Sequence, residues 1–137
     1  MINELTIPAG IWRHMRRHVS RYAPLEACGL LAGKDGQVTI SRGIRNDKRS
    51  PVRFQMNPKG QIGAFNYFEK LGVDLLAIYH SHPCGPIHPS PNDIQQAAYA
   101  VVHIIWSQQD GEWQANGYWI ESGQFSSVRL RMVSKSN

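Results

Sequence analysis

Two short, nearly unbroken apolar runs, residues 73–79 and 101–106, constrain this chain most. Each has the length of a fully buried strand and is too short for a buried helix of ordinary length. Neither approaches the ~20 residues that a membrane span needs. The segments around them carry their own signals. Ile11, Met15, Val19 and Tyr22 recur at helical spacing and Pro24 follows, which predicts a helix over 9–22. Residues 30–32 and 37–40 flank Lys34-Asp35-Gly36, a hairpin signal between two antiparallel strands. Residues 41–52 are basic and polar and read as a loop, and 52–56 as a short strand. Asn57-Pro58 looks like an N-cap followed by proline at the first helical position. Ile62, Phe65, Phe68 and Leu71 continue that helix as a stripe, and Gly72 ends it. A proline-rich loop spans 83–89, and Ser90-Pro91 opens a helix expected to reach about Tyr99. Asp110-Gly111 is a further turn, with terminal strands expected at 118–121 and 125–132. Strands interleaved with helices on one short chain predict an α/β fold, a mixed β-sheet sandwiched by helices. The 137 residues show no repeat or linker and are expected to form a single domain, 1–137.

Composition removes several classes. Apolar residues make up 42% and charged residues 18%, an ordinary globular balance. Two cysteines, Cys28 and Cys84, are too few for a disulfide scaffold. The first ten residues include Glu4 and lack a long apolar core, so no signal peptide is expected and the cytoplasm is the default compartment. The net charge is +5, with Arg13, Arg16, Arg17 and Arg21 in one stretch and Arg42, Arg45, Lys48, Arg49 and Arg53 in another. Such stretches can attract an acidic partner or simply form a solvated face. No aromatic RNA-binding motif accompanies them, so neither a nucleic-acid nor a membrane partner is expected.

The chemistry concentrates in His80-Ser81-His82-Pro83 and Ser90-Pro91-Asn92-Asp93. His80 and His82 close a buried strand, and side chains two apart on a strand share a face. Two imidazoles side by side can hold one metal, and Asp93 returns in the first turn of the next helix. Two histidines and one carboxylate suit zinc and leave a fourth position open, as catalytic sites require. A metal so held brings the pKa of a bound water to about 7. An ordinary reading competes: Ser at N-cap, Pro at N1 and an acidic residue at N3 also make a plain helix start. Spacing alone leaves both readings standing.

The pattern H-x-H, seven residues, then S-x-x-D resembles the JAMM (MPN-plus) metalloprotease family. An upstream glutamate belongs to that pattern, and Pro24-Leu25-Glu26-Ala27-Cys28-Gly29-Leu30-Leu31 resembles the family's stretch around it. The order of helices and strands also fits over nearly the whole chain. The resemblance implies a JAMM/MPN fold, related to the cytidine-deaminase architecture. It also implies one Zn2+ ligated by His80, His82 and Asp93. Glu26 would be the general base that later delivers a proton to the leaving amine. Ser90 would donate a hydrogen bond to the oxyanion. The implied activity is hydrolysis of an amide bond at the C-terminal tail of a ubiquitin-like or sulfur-carrier protein, with the tail extended beside a sheet edge. The short chain leaves little room for large insertions at 41–53 and 107–117, like a minimal, prokaryote-type member.

Two other functions remain to be weighed. A small-molecule zinc hydrolase or deaminase would need H-x-E and P-C-x-x-C, whereas Pro83-Cys84 is followed by Gly85-Pro86-Ile87. A non-catalytic MPN interaction module would lack the ligands that are present here. His14 and His18 have the i, i+4 spacing of a zinc-protease helix, but Met15 stands where its glutamate would be. His103 is expected to be a strand histidine with a structural partner. Cys84 and His88 are expected to shape the loop between the ligands, and Cys28 needs no special role.

Overall fold

The computed structural model describes residues 2–134. Seven strands and three helices follow one another as β1 (Glu4–Pro8), α1 (Ala9–Tyr22), β2 (Cys28–Lys34), β3 (Gln37–Ile44), α2 (Pro58–Leu71), β4 (Asp74–His82), α3 (Pro91–Gln96), β5 (Val102–Gln109), β6 (Glu112–Glu121) and β7 (Gln124–Val133). Three hairpin turns connect neighbouring strands, at Asp35-Gly36, Asp110-Gly111 and Ser122-Gly123. Both residues of each turn have positive φ, the mirror-image geometry that matches strand twist.

The strands run β1-β3-β2-β4-β5-β6-β7 around a closed barrel. β2 is antiparallel to both β3 and β4, whereas β4 and β5 are parallel, with His80 opposite Ile105. Parallel neighbours need a crossover, and the 83–89 loop with α3 supplies it. The expected sandwich is thus corrected in one respect: the mixed sheet closes on itself. The closure comes from β1, whose Leu5 and Ile7 point inward and are fully buried. β1 runs parallel to β7 over five residue pairs but meets β3 at one, Thr6 with Gln37.

The helices nevertheless cover distinct sides of the sheet, because successive strand residues point oppositely. Leu31 and Tyr79 pack with Met15 and Val19 of α1. Leu30, Ala32 and Ile78 pack with Ala64 and Phe68 of α2. Asn57 caps α2 by accepting from Gly60 N, and Gly72 ends the helix in the left-handed conformation. Several expected elements differ: β3 runs on to Ile44, into the stretch expected as loop, and β6 begins at Glu112 rather than at 118. Residues 52–56 form no strand, only an isolated bridge between Asn46 and Met56. The third helix stops at Gln96 rather than near Tyr99; its apolar contact with Ile105, Tyr118 and Ile120 is limited to Ile94 and the capping Ala97. Among the described residues no helix is long and apolar enough to cross a membrane.

Candidate metal centre

The register of β2 against β4 builds the site. Cys28 lies opposite His80, and Ala27 is joined to Ser81 twice: Ser81 N–H donates to Ala27 O at 3.0 Å, and Ala27 N–H donates to Ser81 Oγ at 2.9 Å. One further step along the strands sets Glu26 across from His82. Glu26, His80 and His82 therefore share a face, and all three are buried.

His80 Nε2 and His82 Nε2 are 3.1 Å apart, and Asp93 Oδ2 lies 3.2 Å from the first and 2.9 Å from the second. Among the described residues this is the one cluster of three or more His, Cys, Asp or Glu whose donor atoms converge closely enough for a metal ion. The helix-start and ligand readings of Ser90 and Asp93 hold together. Ser90 Oγ accepts from Asp93 N–H at 3.0 Å, while Asp93 Oδ2 accepts from Ser90 N–H at 2.9 Å, a full capping box. The cap fixes the carboxylate rotamer, and it occupies only a lone pair of the Ser90 hydroxyl.

At His82 the second ring nitrogen is engaged away from the centre: Nδ1 lies 2.7 Å from Pro86 O and carries a hydrogen, which turns Nε2 toward Asp93. The loop that offers this carbonyl is itself tied down. Ser107 Oγ–H donates to Gly85 O at 2.7 Å and Tyr118 O–H to Ile87 O at 2.5 Å. Three successive carbonyls thus each accept from a side chain. The His80 ring stacks on Phe54, with centroids 4.5 Å apart.

Electrostatics separates the acids. Burial pushes Asp93 upward, but the hydrogen bonds of His80 and His82 outweigh it and hold its carboxyl well below the usual carboxylate range. Glu26 goes the other way: burial raises it to about 8, with His82 opposing and Asp93 adding. Its Oε1 is buried without a hydrogen-bond partner. Burial lowers His80, whereas the hydrogen bonds that His82 donates to Asp93 and to Pro86 O outweigh burial and raise it.

The remaining expected residues fall elsewhere. His14 bonds Ser41 Oγ and His18 bonds Tyr79 O–H, so the helical pair faces no common point. Burial lowers His103 to about 4, and its structural partner is the Tyr99 backbone. The His88 ring lies parallel to that of Phe125, with centroids 6.5 Å apart. Cys28 is buried, its thiol pushed up to about 12 by burial and donating to Ile44 O; Cys84 is exposed, and the two are not joined. Arg13, Arg16, Arg17 and Arg21 all lie on the exposed side of α1. Sequence reasoning passed over Ser107 and Tyr118, whose only signal was polarity inside otherwise apolar strand ends, and Asn46.

The barrel carries, at the end of one buried strand, three donors that converge closely enough to hold a metal ion, with a buried carboxylate on the same face. The chain belongs to the prokaryotic homologs of the JAB domain, whose family profile matches residues 8–119. It is 39% identical over 103 residues to a probable TtuB-protein conjugate cleaving protease of Thermus thermophilus, covering 74% of this chain and 69% of the relative. It is 33% identical over 129 residues to a desampylase of Pyrococcus furiosus, covering 92% and 89%. The fold matches a JAB1/MPN domain protein of Archaeoglobus fulgidus with a TM-score of 0.56 and 17% identity, over 93% of this chain and 97% of the other.

Proposed function

We propose that this chain is a zinc metallopeptidase that hydrolyses the amide bond joining the C-terminal tail of a ubiquitin-like sulfur-carrier protein to a target protein. The observation that carries the reading is the pairing of a three-donor centre with a buried, unpartnered Glu26 on the same face. Relatives named for cleaving a protein conjugate and for desampylation support the substrate class.

Zinc fits the donor set. Three donors about 2.0–2.1 Å from one tetrahedral ion lie roughly 3.3 Å from each other, and the separations here are 2.9–3.2 Å. Zinc bound by His80, His82 and Asp93 would polarise a carbonyl and make water a nucleophile near neutral pH. Glu26 takes the proton of the attacking water and returns it to the leaving amine. Without metal, burial raises this carboxyl to about 8; a bound cation would draw it down toward the ionised form that a base needs. The Ser90 hydroxyl, with its lone pair engaged by Asp93 N–H, donates its hydrogen to the scissile carbonyl oxygen as negative charge builds there. Asp93 stays ionised throughout.

Residues 1–137 act as one catalytic domain in this reading. The free cysteines fit a reducing, cytoplasmic setting. A carrier protein fused through its terminal Gly-Gly to a reporter tests the assignment. Wild-type protein should contain about one zinc and release the reporter. Glu26→Gln should keep the zinc and lose ~10²–10⁴-fold in rate, and His82→Ala should lose both. Wild-type turnover by Glu26→Gln, or a protein that takes up no zinc, would overturn the reading.

A further inference from the structure

The peptide of Glu26 has an unusual support. β3 ends at Ile44, opposite Cys28, so the ladder on that side of β2 stops two residues short of Glu26. Both backbone groups of Glu26 are nevertheless bonded, and both partners come from the segment between β3 and α2. Glu26 N–H donates to Ser50 O at 2.8 Å. Glu26 C=O accepts from Asn46 Nδ2 at 3.0 Å.

Asn46 uses its whole hydrogen-bonding capacity. Nδ2 also donates to Arg53 O at 3.1 Å, while Oδ1 accepts from Lys48 N–H at 3.0 Å and Gln55 N–H at 2.9 Å. Two donors meet two carbonyls and two lone pairs meet two N–H groups, which fixes the orientation of the amide. The same segment is closed by Asp47 N–H to Gln55 O and Asn57 N–H to Arg45 O, and it presents Phe54 to the His80 ring. The Asn46 carboxamide and the Ser50 carbonyl together therefore do for Glu26 what a neighbouring strand does for β2.

We propose that Asn46 is a positioning residue: its carboxamide locks the Glu26 peptide, and that lock aims the Glu26 carboxylate at the metal centre. The inference rests on Glu26 being the general base. A base misplaced by about 1 Å can cost ~10²-fold in rate, because proton transfer depends on near-attack geometry. Only Asn supplies two donors and two acceptors at this reach. Asp would keep the acceptor for Lys48 and Gln55, and hence the turn, but would turn its other carboxylate oxygen toward the Glu26 and Arg53 carbonyls.

The test is Asn46→Asp, assayed as zinc-loaded full chain on the carrier–reporter fusion, alone and combined with Glu26→Gln. The expected result is a kcat loss of ~10–100-fold, with KM and zinc affinity within about twofold of wild type. In the Glu26→Gln background the same change should leave the residual rate unaltered, because the group it aims is gone. Asn46→Ser, which retains one donor, carries the same test at smaller amplitude if the Asp variant does not fold. Wild-type kcat in Asn46→Asp, or an equal further loss in the Glu26→Gln background, would overturn the positioning role. Wild-type kcat in Glu26→Gln itself would instead overturn the underlying assignment of the base, so the two failures are distinct.

Discussion

The two loops that flank the centre are held in opposite ways. The 83–89 loop is tied to the barrel wall: Ser107 of β5 and Tyr118 of β6 each hold a carbonyl, and His82 holds the one between them. Three prolines, Pro83, Pro86 and Pro89, restrict it further. The segment between β3 and α2 is closed mainly by bonds within itself, and it meets the Glu26 peptide at two points, Ser50 O and Asn46 Nδ2. The metal side is therefore tied to the barrel wall, and the base side is held by a loop that bonds chiefly to itself. A ligand set must be rigid to select its ion, whereas a base need only be aimed once.

The sharpest challenge to that contrast is Asp93→Ala. It removes a ligand and half of the capping box together. Metal binding should be lost and activity should fall to background, while amide exchange in residues 45–57 stays as in wild type. Faster exchange there would mean that the two sides are coupled.

The next effect is electrostatic and belongs to the base side. Burial raises Glu26 from an ordinary carboxylate value near 4.5 to about 8. Between those values the folded, metal-free protein holds a proton that the unfolded chain has released. Stability supplied by the protonated form is complete below about 4.5 and is lost as pH rises toward 8. Urea midpoints of metal-stripped protein should fall from pH 5.5 to 8.0, by at most ~3 kcal/mol more in wild type than in Glu26→Gln. Parallel pH profiles for the two proteins would contradict the burial of an unpartnered carboxyl.

On the metal side, Tyr118→Phe combined with Ser107→Ala should weaken zinc binding ~10–100-fold, read by competition with a chelating dye. Unchanged affinity would show that the prolines alone suffice. The smallest effect is expected where the sides touch. Ser81→Ala strands the buried Ala27 N–H, at about 1–2 kcal/mol, seen as a lower denaturation midpoint with the zinc content intact.

How much of this the sequence disclosed depends on distance along the chain. His80, His82 and Asp93 lie within one strand–loop–helix segment, where period-two geometry and the capping pattern act locally. Glu26 meets His82 only through the β2–β4 register, so its role was legible through the family resemblance and not through spacing. Asn46 sat unnoticed in a basic, polar stretch. Its short-range bond to Lys48 N–H is ordinary turn chemistry, and the bonds that matter reach residues 26 and 53. The sandwich expectation overlooked β1 because two alternating apolar residues, Leu5 and Ile7, are too few to signal a strand. β6 was expected from 118 but begins at Glu112, since Trp113 and Ala115 alternate with exposed polar residues. The turn at Ser122-Gly123 went unread as well.

The closure of the barrel by β1 has a consequence for biosynthesis. β1 is made before the other described strands of the barrel, yet its main partner, β7, is made after all of them. Every residue of the centre, from Glu26 to Tyr118, has been translated before Leu5 and Ile7 gain their neighbours on that strand. The seam joins the two extremes of the fold and raises its contact order. A nascent chain can thus assemble the ligand-bearing hairpins early, while completion of the wall awaits the final strand, so a premature stop before β7 would leave the centre's residues in place on a barrel that cannot shut.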